Sequence, residues 1–95
     1  MPIGYQAVQC AHALREFTEK FAAENQKWYT TSNTIVLLTC SNLQELNKTL
    51  TKAQALGISY APFYEPDIDN ELTAIAFVPC AETAHLLRHF QLLGR

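Results

Sequence analysis

No apolar run in this 95-residue chain approaches the length that crosses a membrane, and the N-terminus has neither a basic cluster nor an apolar signal core. A cytoplasmic protein without membrane contact is the expectation. Cysteine is sparse and unpaired: Cys10, Cys40 and Cys80 are odd in number, far apart and embedded in apolar sequence. With no C-x-x-C unit among them, reduced and packed thiols are expected instead of disulfides or a zinc site. A nucleophilic Cys10 served by His12 is disfavoured, because residues two apart on a helix diverge by about 160°. Positive charge is also short. Seven Lys and Arg against nine Asp and Glu give a net charge of −2, whereas proteins that grip a nucleic-acid backbone usually show a basic excess. Any phosphate contact must come from a local patch drawn from Arg15, Lys20, Lys27, Lys48, Lys52, Arg88 and Arg95. Few such contacts mean weak binding with a shallow salt dependence. Repeats, low-complexity tracts and linkers are absent, so residues 1–95 read as one domain with a modest core.

What is present begins with the stretch Gly4-Tyr5-Gln6-Ala7-Val8-Gln9-Cys10-Ala11-His12-Ala13. A helix is expected from about Tyr5 to Glu24. At helical spacing Tyr5, Gln9, His12 and Glu16 share one narrow polar stripe, while Ala7, Cys10, Ala11, Leu14, Phe17 and Phe21 occupy the opposite arc and should face a core. The stripe is either a solvated face or, beside the free amides of the helix start, a place for a phosphate or an oxyanion.

Further along, Trp28-Tyr29-Thr30-Thr31-Ser32-Asn33 reads as a connector whose aromatic pair either seals the helix end or stacks on a ligand. Thr34-Ile35-Val36-Leu37-Leu38-Thr39 is a continuous apolar run, which predicts a strand buried on both faces. Ser41 or Asn42 caps a second helix with Leu43, Leu46, Leu50 and Ala53 inward, and Gly57 stops it. With a further strand over Ile58–Tyr64 this makes a crossover unit. Pro66 and Asp-Ile-Asp-Asn form a turn, so Ile58–Tyr64 and Leu72–Val78 should pair antiparallel. A last helix from Ala81 turns Ala84, Leu86, Leu87 and Phe90 inward, with Glu82 in its first turn and His89 in its last. The sum is an α/β fold, a three-layer α/β/α sandwich around a short mixed sheet.

The opening helix resembles the Gly-Lys-x-Ala-x-Gln-x-x-His-Ala motif of the second, archaeal and eukaryotic, type of peptidyl-tRNA hydrolase. The resemblance continues through Ser32–Thr39, Ala55-Leu56-Gly57-Ile58 and Glu65–Val78. It implies cleavage of the ester that joins a peptide to tRNA, with no cofactor, and a tRNA or peptidyl-tRNA partner. Glu65 lies where the family has an Asp after its third strand, Asp67 is the fallback, and Thr73 resembles the family's later Thr. Tyr5 stands at the motif Lys, and a Gly-Lys/Arg-Thr portion has no match. The family's opening strand has only Met1-Pro2-Ile3 in its place here. An upstream start, a partner chain in the slot or a rearranged sheet order each explain that, and exposed edges favour a homodimer.

Ester hydrolysis needs a base for water and donors for the oxyanion. Glu65 or Asp67 supplies the base, and Gln9, His12 and Thr73 are the catalytic donor candidates. Tyr5, Gln6 and Asn70 are the substrate-binding candidates, Tyr5 able to donate one hydrogen bond or to stack on a base or ribose. Glu65, Asp67, Asp69 and Glu71 resemble half a calcium loop, but Asn70 replaces the needed Gly and Ala76 the closing Glu, so no metal is expected. His85 and His89 read as surface residues. A catalytically silent module of the same fold that binds a protein or an RNA end is the alternative.

Overall fold

The computed structural model describes residues 1–94; Arg95, one of the candidate phosphate contacts, lies outside the described residues. Helix α1 runs over Ile3–Lys20 directly after Pro2, earlier at both ends than the sequence suggests. Phe21, at φ −122° and ψ 62°, breaks the run, and α2 follows over Ala22–Thr31. At the break the Phe21 ring packs on Phe17 with centroids 5.1 Å apart. Trp28 and Tyr29 therefore belong to α2 and not to a connector. The Trp28 indole donates to the Thr34 carbonyl at 2.8 Å and seals the helix end, while Tyr29 stays exposed.

Strand β1 is only Leu38–Thr39, and it pairs antiparallel with β4, Gln91–Leu92. Helix α3 covers Leu43–Leu56. Strands β2 (Tyr60–Glu65) and β3 (Glu71–Phe77) form an antiparallel hairpin, joined by a 3-10 turn at Pro66–Ile68. The short helix α4 is Ala81–Leu86. The α/β class holds, with helices packed on small sheets, and the hairpin pairing is the one expected. The sheet itself divides into two ladders of two strands, β1 with β4 and β2 with β3.

That division corrects three expectations. Ile35, Val36 and Leu37 are 57%, 61% and 39% exposed, so 34–39 is not a strand buried on both faces. Apolar composition alone cannot bury a segment when no neighbouring strand or helix covers it. The β1–α3–β2 passage is not a crossover within one sheet, because β1 and β2 do not pair. The C-terminal helix also ends early. Phe90 N–H donates to the Leu87 carbonyl, and the chain then turns so that Gln91–Leu92 can satisfy the backbone of β1, with Leu93 N–H on the Leu37 carbonyl at 2.9 Å. His89 consequently lies beyond α4. In α4 Thr83 is buried and Ala84 exposed, while Leu86, Leu87 and Phe90 are half-buried.

Helix α3 follows its local signals. The Asn42 side chain accepts from Glu45 N–H at 2.8 Å, and Gly57 caps the other end in the left-handed region at φ 69°. Helix α1 lies across both strands of the hairpin and α3 packs against β3. The buried apolar set is Ala13, Phe17, Ala53, Ile58, Ala61, Leu72 and Ala74. Three alanines among them, Ala13 on α1 and Ala61 and Ala74 on the hairpin, leave short side chains where the two meet, so helix and strands approach closely and polar groups on both can meet.

The packed face of α1 differs from the expected one. Gln9, Ala13 and Phe17 are buried, while Ala11 is exposed and Ala7, Cys10 and Leu14 are half-buried. Gln9, on the polar stripe, is only 1% exposed. An amide can be buried at small cost when both its donor and its acceptor are satisfied, and the hairpin supplies both.

Candidate active site

Gln9 is carried by the second turn of α1, where its side chain meets the end of β2 and the start of β3. Its Nε2 donates to Glu65 Oε1 at 3.1 Å, and its Oε1 accepts from the Thr73 hydroxyl at 2.6 Å. A hydroxyl donating to the amide oxygen fixes which way the amide points, so the NH2 group must face the carboxylate. Tyr5, one turn earlier, donates its phenol to the same Glu65 Oε1 at 3.3 Å. Four side chains from three elements thus share one connected network.

Each is aimed by a local feature. Thr73 is the extra residue of a β-bulge: Phe63 lies opposite Ala74 and Tyr64 opposite Leu72, leaving Thr73 without a partner across the ladder. Bulges re-aim side chains, and here the hydroxyl reaches Gln9, with the Phe63 carbonyl a second acceptor at 3.4 Å. Glu65 is the last residue of β2, stopped by Pro66, and its carboxylate turns inward at 9% exposure. Asp69 and Asn70 both take left-handed backbone with φ 58°, and Asn70 N–H closes the turn onto the Glu65 carbonyl at 2.9 Å. Pro62 sits within β2 because that strand is an edge, where a missing N–H costs no ladder bond.

His12 lies at the rim, exposed, with its ring stacked on Phe63 at a centroid distance of 4.5 Å and an angle of 12°. Partial burial, then the charge and hydrogen bond of Glu65, then Asp67, raise the Tyr5 phenol above its ordinary range, so it remains a donor. Burial likewise raises the Cys10 thiol, an inert packed group. Both hydrogen bonds to Glu65 end on Oε1, and among the described residues no buried side-chain oxygen is left without a partner. Oε2 is therefore open to solvent.

The structure brings together Tyr5, Gln9, Glu65 and Thr73, with His12 beside them. It does not bring Gln6 to the cluster: Gln6 donates to the Met1 carbonyl at 2.7 Å and accepts from Thr39 at 3.4 Å, tying α1 to β1. Asp67 is exposed on the 3-10 turn, near enough to act on the Tyr5 phenol but outside the hydrogen-bonded set. Asn70 serves the turn through its backbone. Glu65, Asp67, Asp69 and Glu71 diverge, one inward and three exposed, and no group of three metal-binding side chains is gathered among the described residues. Phe63 is the platform for His12, and its one signal in the sequence is an aromatic two residues before Glu65. Two cavities, of about 440 and 280 Å³, lie instead between α3 and the segment after α4. They are shallow and do not touch Glu65, so the network is the better guide to chemistry.

No helix of the described residues is long and apolar enough to cross a membrane. A search of curated proteins finds no match. The family model described as peptidyl-tRNA hydrolase PTH2 matches residues 1–93.

Proposed function

Because the chain belongs to the peptidyl-tRNA hydrolase PTH2 family, we propose that it hydrolyses the ester between an acyl or peptidyl group and tRNA in the cytoplasm, without a cofactor. The observation that supports this best is the inward Glu65 carboxylate, gripped on one oxygen by Gln9 and Tyr5 and open on the other. Glu65 Oε2 takes a proton from water as the water oxygen adds to the ester carbonyl. His12 is the exposed donor for the oxyanion; as that intermediate collapses, the C–O bond to the ribose breaks and the proton held by Glu65 passes to the leaving ribose oxygen, releasing a carboxylic acid and the ribose hydroxyl of tRNA and restoring the carboxylate. Gln9 is too enclosed to reach a substrate and acts as a positioning residue, with Thr73 fixing its amide. Tyr5 holds Glu65 and offers its ring face to the terminal ribose or base.

Removing one good oxyanion donor costs roughly 3–4 kcal/mol in the transition state, about a hundred- to thousandfold in rate. His12→Ala is therefore expected to fall in that range. The test is hydrolysis of an N-acyl-aminoacyl-tRNA by the wild type, Gln9→Ala and Glu65→Ala. Both variants should be strongly slowed, and equal background rates in all three would remove the enzyme. One observation favours the catalytically silent alternative: Tyr5 brings a neutral phenol where the family motif has an ammonium, so nothing there clamps a phosphate. In that case RNA or protein binding persists without turnover. The unpaired ladder edges also support self-association, which solution mass would reveal.

A further inference from the structure

The cavity of about 440 Å³ is lined by Gln44, Lys48, Lys52 and Phe90 among others, and the one of about 280 Å³ by Thr39, Ser41 and Gln91 among others. Glu45, His89 and Phe90 border both, so the two form one groove between α3 and the chain after α4. Lys48 and Lys52 are four apart on α3, hence on one face, and both are exposed. In a chain of net charge −2, this groove sets two ammonium groups against one carboxylate, Glu45. Half-buried Phe90 gives it an aromatic surface. Thr39, on the lining of the smaller cavity, donates its hydroxyl to Gln6 at 3.4 Å and so ties the groove to α1, the helix that carries Tyr5 and Gln9, although Gln6 itself stands outside the Glu65 network.

We propose that this groove carries the phosphate backbone of the RNA substrate, running from Lys52 past Lys48 and Phe90 to Thr39, and so delivers the RNA end to Glu65. The proposal rests on the hydrolase reading for its substrate class, and adds the surface that holds it. Two ammonium groups at helical spacing meet successive phosphates, and the aromatic ring on the same lining stacks a base with little sequence preference. Glu45 opposes both.

The experiment is fluorescence anisotropy of a labelled RNA hairpin with a single-stranded 3′ end, titrated with the full chain across a salt series. Each phosphate contact on a single strand contributes about 0.7 to the slope of log affinity against log salt. Lys48→Gln with Lys52→Gln should flatten that slope by about 1.4, so the double variant's deficit shrinks by ~7-fold between about 50 and 200 mM salt. Glu45→Gln should tighten binding, and Lys20→Gln with Lys27→Gln, an equal change of charge elsewhere, should leave it near wild type. Unchanged affinity in the Lys48 and Lys52 variant, an equal loss in the Lys20 and Lys27 control, or no binding by the wild type overturns the proposal. Groove-dependent binding without ester cleavage keeps the groove and removes the hydrolase, whereas cleavage with groove-independent binding does the reverse.

Discussion

Replacing Gln9 by leucine keeps most of the side-chain volume while removing both bonds at the centre of the network. The donor to the Glu65 carboxylate, at 3.1 Å, is a charge-assisted bond worth about 1.5–3 kcal/mol. The Thr73 bond, at 2.6 Å, is neutral and worth roughly 1 kcal/mol, partly recoverable because the hydroxyl can turn to the Phe63 carbonyl. Gln9→Leu is thus expected to cost about 2–4 kcal/mol. A domain of this length typically has about 5–14 kcal/mol of stability, so the variant should still fold. Glu65→Leu alone leaves the Gln9 amide and the Tyr5 phenol without their acceptor, at about 1–3 kcal/mol each way. In the double variant the buried amide orphan is gone and two apolar side chains face one another, while the Tyr5 phenol, exposed, turns to water. The cycle should therefore show a coupling of about 1.5–3 kcal/mol, read from urea midpoints at constant slope. Additivity within about 0.5 kcal/mol would refute the claim that Gln9 is buried because Glu65 satisfies it.

Three further outcomes are expected. Asn70→Ala should lose about 1 kcal/mol and Asn70→Gly stay within roughly 0.5 kcal/mol of wild type, because left-handed backbone is tolerated by Asn through its short polar side chain and by Gly for want of a Cβ, but not by Ala; loss of ester cleavage in Asn70→Gly with stability intact would instead give the side chain a substrate role. Gly57→Ala should destabilise by about 1–2 kcal/mol through backbone strain alone, since a Cβ there meets open space, and a thermal melt unchanged from wild type would contradict it. The Tyr5 phenol is raised in the folded chain, so folding holds its proton more tightly: that contribution is complete below the ordinary tyrosine range near ~10 and declines as pH rises through the raised value. Tyr5→Phe should flatten the alkaline fall in urea midpoint, and identical profiles would count against the Tyr5–Glu65 bond.

The local signals legible in the sequence are those that act within a few residues. Asn42 and Gly57 bound α3 because a cap bond and a left-handed stop need no tertiary partner. The β2–β3 hairpin follows from a turn-rich segment between two β-prone runs. Tyr5, Gln9, His12, Glu65 and Thr73 could be named, but their geometry could not. The burial of Gln9 depends on partners 56 and 64 residues away, and helical periodicity scores an amide as solvent-facing whatever waits across the interface. The bulge at Thr73 has no glycine or other local mark. Ile35-Val36-Leu37 misleads in the opposite sense, because hydrophobicity states a preference for cover and not its presence. The groove beside Lys48 and Lys52 joins α3 to residues near the C-terminus, a juxtaposition that no spacing rule contains.

Two separate ladders give the molecule two thermodynamic tiers. Amides of β2 and β3 beneath α1 should exchange with solvent only when the whole fold opens, whereas the two-residue β1–β4 pairing, flanked by exposed apolar side chains, can part by local opening. The face bearing His89, Phe90 and Gln91 can then breathe on its own timescale while the carboxylate and its amide stay fixed. A soft rim on a stiff centre lets the outer surface change shape while the Glu65 network keeps its geometry.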